Sequence, residues 1–169
     1  LVQHSLFLGV EREQFIADAM LAGLNQGSVS ADRPERAFLV RNLIGVDPRN
    51  GAVAVADRVR AGQNVQFQLR EAQASRQEAR QLLQTSRDQG SDATPLMGLL
   101  FACLGRGNGL FGSPDGDVSI ARDVFPQLPV AGSFCNGEIG PLGGATHLHG
   151  YTACWGLLRC DPAESATRS

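Results

Sequence analysis

The run Leu96–Leu104 is apolar throughout and constrains the fold more than any other stretch of this chain. A strand of that kind is expected at the centre of a sheet, covered on both faces. It leads into Gly105-Arg106-Gly107-Asn108-Gly109-Leu110-Phe111-Gly112. Asp117 is then placed to cap a short helix through Phe125, which Pro126 ends, and Pro129–Cys135 reads as the next strand. Strand, short helix, strand is the pattern of a crossover, which is almost always right-handed and leaves its two strands parallel. The expected unit is a β-α-β crossover over Leu96–Cys135. Parallel neighbours release their following loops at one sheet edge, where open α/β sheets hold ligands.

The rest of the chain supplies antiparallel pieces. Glu11–Asn25 carries Phe15, Ile16, Ala19, Met20, Leu21 and Leu24 at helical spacing, and Gly27–Arg36 reads as a polar loop. Ala37–Val46 and Ala52–Ala56 flank Asp47-Pro48-Arg49-Asn50-Gly51, whose Asn-Gly favours a tight hairpin. Asn64–Arg70 alternates, which predicts a half-buried strand with Val65, Phe67 and Leu69 inward. Glu71–Arg87 reads as a solvated helix with a narrow stripe of Ala72, Ala79, Leu82 and Leu83. His147–Leu158 reads as one further strand. The expectation is α+β: a mixed sheet with packed helices in an α-β sandwich.

A chain of 169 residues with 43% hydrophobic and 19% charged positions suits one globular domain. Its net charge of −2 gives no general attraction to nucleic acid or to an anionic membrane. Its apolar runs are too short to span a bilayer, which takes roughly 20 residues. All 15 basic residues are arginine, so lysine chemistry is excluded. Cys103, Cys135, Cys154 and Cys160 form no CxxC pair and read as reduced thiols in a cytoplasmic protein. Gly107–Gly112 matches GxGxxG, but Ser113-Pro114-Asp115-Gly116 stands where a dinucleotide site needs a helix, and no P-loop lysine exists. No cofactor is expected.

The polar residues worth weighing lie at the two strand ends. Gly132–Gly144 places Cys135, Asn136 and Glu138 within four residues on a glycine-rich backbone. Glu138, a carboxylate in an apolar region, must be paired or solvated. It either binds a ligand or closes the turn through Arg106 or backbone N–H groups. Arg106 could lower the pKa of a thiol nearby, with His149 as a base for Cys103 or Cys135. Small buried cysteines explain the same pattern more simply, and no catalytic constellation stands out. His147 and His149 would share one side of a strand, as a metal pair or as ordinary hydrogen-bonded histidines. The candidate ligand set is Arg106, Gly107, Cys135, Asn136, Glu138 and His149, with no catalytic and no metal residues assigned.

Four ordered motifs resemble a known family. They are Phe38–Pro48 (FLVRNLIGVDP), Leu100–Gly107 (LFACLGRG), Phe134–Pro141 (FCNGEIGP) and Leu148–Thr152 (LHGYT). Together they are similar to the C-terminal half of the FIST domain, named for F-box and intracellular signal transduction proteins. The resemblance implies a sensory module of bacterial signalling proteins and F-box adaptors that binds small polar ligands such as amino acids. It also implies an N-terminal FIST half as a partner, with residues 1–10 its last trace, 11–158 the FIST C-like domain and 159–169 a flexible tail. Ser133 and His147 depart from the pattern, which has bulkier and aromatic residues there. The expected function is ligand sensing. An interaction module docking on the N-terminal half, and a cysteine-dependent enzyme or metal-binding domain, are the alternatives.

Overall fold

A computed structural model describes residues 6–11, 38–89, 94–142 and 145–160. The expected helix Glu11–Asn25 beyond its first residue, the loop Gly27–Arg36 and the tail from residue 161 lie outside the described residues. Mixed sheets and helices make the chain α+β. Its described residues fall into two compact units: those within Leu1–Arg70 with Ile139–Gly150, and those within Glu71–Glu138 with Tyr151–Ser169.

The first unit is built on a four-stranded antiparallel sheet. Its strands are β1 (Leu6–Glu11), β2 (Phe38–Asp47), β3 (Ala52–Val55) and β4 (Val65–Leu69), in the order β3-β2-β1-β4. Leu6–Glu11 is thus an interior strand, and Phe7, Leu8 and Val10 are buried with Leu39 of β2. The hairpin between β2 and β3 forms at the Asn-Gly turn. Asp47 accepts from the Arg49 N–H at 3.0 Å and from the Asn50 amide at 2.7 Å, and Gly51 takes φ 65°. Those donors stabilise the carboxylate and hold the Asp47 pKa below its usual value. β7 (Glu138–Leu142) and β8 (Ala145–His149) pair as a two-stranded sheet, and all of it but Glu138 belongs to this unit.

The strand expected at Asn64–Arg70 exists, but its apolar row is not buried. Val65, Phe67 and Leu69 are 48%, 60% and 68% exposed. A period of two says which side chains share a face, not which face is covered. Among the described residues β4 is an edge strand, and its apolar row lies open.

In the second unit β5 (Met97–Cys103) is central. It pairs in parallel with β6 (Val130–Cys135) and antiparallel with β9 (Ala153–Leu158). Helices α1 (Ala72–Gln89), α2 (Asn108–Phe111) and α3 (Gly116–Val124) accompany this sheet, the last two lying between β5 and β6 in the chain. Leu83, Phe111, Ile120, Ala121, Val124, Phe125 and Leu128 form the core, against which Val130, Trp155 and Leu157 pack. β5 was expected to be covered on both faces. Burial instead alternates, with Leu100 and Ala102 buried and Phe101 43% exposed. Ala131–Phe134 of β6 are exposed as well, and Leu82 of α1 points to solvent.

The single strand expected over His147–Leu158 is two. β8 ends at His149 and β9 begins at Ala153, because Gly150 and Tyr151 interrupt the extended chain and Tyr151 takes φ 63°. Asp117 does not cap its helix either: Asp115 is the N-cap residue, and Asp117 lies in the first turn.

One close approach fixes the β5–β6 register. Gly132 faces Leu100, and a Cβ at Gly132 would stand 1.8 Å from the Leu100 carbonyl oxygen. No side chain fits there without moving the strand. Gly132→Ala is therefore expected to lower unfolding stability by about 3 kcal/mol or more, at the upper end of overpacking effects, as measured by denaturant titration.

Candidate functional site

The polar groups of the second unit are arranged around the ends of β5, β6 and β9. Cys103 and Cys135 lie opposite each other in the parallel register, and the Leu104 N–H donates to the Cys135 carbonyl at 2.9 Å. The chain then turns at Arg106, whose N–H donates to Cys103 O at 2.8 Å. After Cys135, Asn136 and Gly137 make a short turn and β7 begins at Glu138.

Arg106 is buried and meets a carboxylate, as its chemistry suggests, but that carboxylate is Asp117. The guanidinium Nε donates to Oδ2 at 2.9 Å and Nη2 to Oδ1 at 2.6 Å, a bidentate pair with both residues less than a tenth exposed. Its flat group also lies 5.4 Å from the Phe111 ring centroid. Gly107 takes φ 61° next to the Phe134 ring, which a Cβ would meet at 3.0 Å. Arg106 and Gly107 thus organise the loop from Leu104 to Gly116.

Glu138 is 1% exposed. Its Oε2 accepts from the Thr152 N–H at 3.3 Å and from the Thr152 hydroxyl at 3.1 Å. Its Oε1 is buried and has no hydrogen-bond partner among the described residues. The turn is therefore tied through Thr152 rather than through Arg106. An acceptor without a donor in such a place costs its full desolvation, about 1–3 kcal/mol and more for a charged group. Cys154 lies in the same neighbourhood. Burial pushes its thiol pKa up, a hydrogen bond with the Thr152 side chain pulls it down, and the charges of Glu138 and Cys135 push it up again.

The other expected residues are more loosely attached to this arrangement. Cys135 is partly buried, its Sγ 3.5 Å from the Ser133 hydroxyl, and Asn136 is exposed at the turn. His149 belongs to the other unit, where its Nε2 lies 3.0 Å from the Gly140 carbonyl and so donates to it. The rings of His147 and His149 stand edge to face at 6.3 Å. Among the described residues, no three His, Cys, Asp or Glu are grouped to hold a metal ion.

Three residues of this arrangement stand outside the candidate ligand set: Asp117, Thr152 and Cys154. Asp117 looked like a helix cap because a carboxylate near a helix start is usually one. Thr152 ends the Leu148–Thr152 motif, but a threonine at a strand start has no distinctive signature.

Two outcomes follow from this geometry. Arg106→Ala or Asp117→Asn alone is expected to cost about 3–5 kcal/mol, since each leaves a buried charge unpaired. The double variant should cost clearly less than the sum, as read from a denaturation cycle. Cys154 should react slowly with iodoacetamide at neutral pH, because a raised pKa depletes its thiolate. Glu138→Gln removes a negative neighbour, lowers that pKa and should speed labelling of the Cys154 peptide, followed by mass spectrometry.

Comparison with known proteins agrees with the motifs. An uncharacterized protein of Mycobacterium tuberculosis is 38% identical over 158 residues, covering 94% of this chain and 37% of the relative. One of Mycobacterium bovis is 35% identical over 163 residues, covering 95% of this chain and 38% of the relative. An F-box/LRR-repeat protein of Arabidopsis thaliana is 50% identical over 42 residues, 24% of this chain and 8% of that protein. The chain thus spans less than two fifths of the mycobacterial relatives it matches. The model of the FIST C domain, a signal-transduction-associated family, matches residues 1–141, and the chain belongs to that family.

Proposed function

We propose that this chain is a non-catalytic, cytoplasmic ligand-sensing domain of a signal-transduction protein, and that Glu138 receives a hydrogen-bond donor of a small polar ligand. The observation that carries this reading is the carboxylate itself: it is 1% exposed, with one oxygen held by Thr152 and the other without a donor. Native proteins rarely leave such a group unmet unless it serves something beyond the fold. An ammonium group supplies both the donors and the charge that Oε1 needs.

An amino acid would be recognised here by its ammonium end. A second contact, from Arg106 to the ligand's carboxylate, has no support, because Asp117 occupies the guanidinium fork. The exposed Asn136 amide remains available for a further polar group. No helix among the described residues is long and apolar enough to cross a membrane.

A second reading has its own observation. Phe101, Leu104 and Phe134 of the second unit are 43%, 64% and 58% exposed. Large apolar side chains left open in this way suit a docking face. The N-terminal FIST half is the first partner to consider.

A thermal-shift screen of primary amines and amino acids separates the two. A ligand at a hundredfold its Kd stabilises the folded state by about 2.7 kcal/mol. A rise in Tm with an amine, lost in Glu138→Gln and kept in Arg106→Lys, is the expected result. Stabilisation by no amine, or an equal response in Glu138→Gln, would overturn the sensing reading and favour docking.

A further inference from the structure

We infer that β4 is a homodimerisation edge, across which two copies of this chain join their four-stranded sheets about a two-fold axis at Phe67. The argument begins with what β4 lacks. Among the described residues its ladder partner is β1 on one side only, in a register running from Leu6↔Leu69 to Val10↔Val65. The other side offers backbone N–H and C=O groups in a row. Edge strands in soluble proteins are normally blunted by a charge, a proline or a bulge. Val65-Gln66-Phe67-Gln68-Leu69 contains no charge and no proline, and its pairing with β1 runs without a register shift.

The strand is also self-complementary. Read from either end it is apolar, glutamine, phenylalanine, glutamine, apolar. An antiparallel copy centred on Phe67 sets Phe67 against Phe67, Val65 against Leu69 and Gln66 against Gln68. Residues directly opposite in an antiparallel pair share a face. Each exposed apolar side chain therefore meets an apolar partner, and each glutamine meets a glutamine. A shift by one residue either way sets Phe67 against a glutamine and Val65 and Leu69 against a glutamine, Arg70 or Asn64, so the pattern itself selects the register. Just outside the strand, Arg70 falls opposite Asn64, so no like charges face each other. A two-fold interface requires one patch to complement itself, and β4 does.

The occupant is thus a second copy rather than a foreign strand, which would have no reason to match a palindrome. Six apolar side chains, three from each copy and open in the single chain, come together on one face of an eight-stranded sheet. The interface lies wholly within the first unit. It is separate from Glu138 and does not depend on the sensing reading.

The test is the mass of the full-length protein at micromolar concentrations, by sedimentation or light scattering. Twice the chain mass is expected for the parent. Phe67→Lys places two ammonium groups against each other at the axis and should give a monomer with an unchanged circular dichroism spectrum. Val65→Glu together with Leu69→Lys brings opposite charges together at both ends of the paired strands and should restore the dimer, whereas Val65→Glu alone should weaken it. If Phe67→Lys fails to fold, hydrogen exchange of the parent decides. Amides of Val65–Leu69 should exchange more slowly at high than at low protein concentration. A parent that is monomeric throughout, a dimer indifferent to Phe67→Lys, or β4 amides protected equally at all concentrations, as when another segment of the same polypeptide covers the edge, would each overturn the proposal.

Discussion

The buried ion pair between Arg106 and Asp117 is the contact on which the second unit's architecture most depends. It joins the end of β5 to the first turn of α3 with two parallel hydrogen bonds, so the intervening loop has both ends fixed. Phe111, from the middle of that loop, reaches the helical core and lies under two guanidinium groups, with Arg76 of α1 at 4.6 Å and Arg106 at 5.4 Å from its ring. Arginine suits this place because its planar fork matches a carboxylate and its flat surface tolerates an aromatic ring. The pair holds α3 in register with the sheet while Ile120, Ala121 and Val124 fill the space beneath.

That arrangement separates two roles that a polar residue at a strand end can have. Arg106 has its fork held by both oxygens of Asp117 and serves construction. Glu138 is buried too, with one oxygen held and the other without a donor among the described residues, and of the two it is the one that retains an unused capacity for interaction. Burial alone does not distinguish them; a buried charge with a protein partner of opposite sign differs from one without.

Several elements were legible in the chain because their signals are local. The Asn-Gly hairpin, the helix after Glu71 and the central strand beginning near Leu96 each rest on turn chemistry or periodicity within a few residues. What could not be read was which face each strand buries. Val65, Phe67 and Leu69 alternate as an inward row should, yet lie at an open edge, because covering is decided by segments far away in sequence. The same limit applies to Arg106. Its need for a carboxylate was readable, but Asp117 and an outside ligand are equivalent answers until the helix is placed. Tyr151, aromatic and at positive φ, broke a strand that its side chain favours.

The bond between Thr152 and Glu138 acquires a further meaning from the path of the chain. The polypeptide departs from the second unit immediately after Glu138 and rejoins it at Tyr151, so the residues in between form a closed excursion. Glu138 and Thr152 stand at its two feet and fasten them together. Bringing the ends of such a segment together has an entropic cost, which this fastening helps to offset. Anything that draws the carboxylate away from Thr152 gives up that offset, and the two chain ends are then held by the rest of the second unit alone.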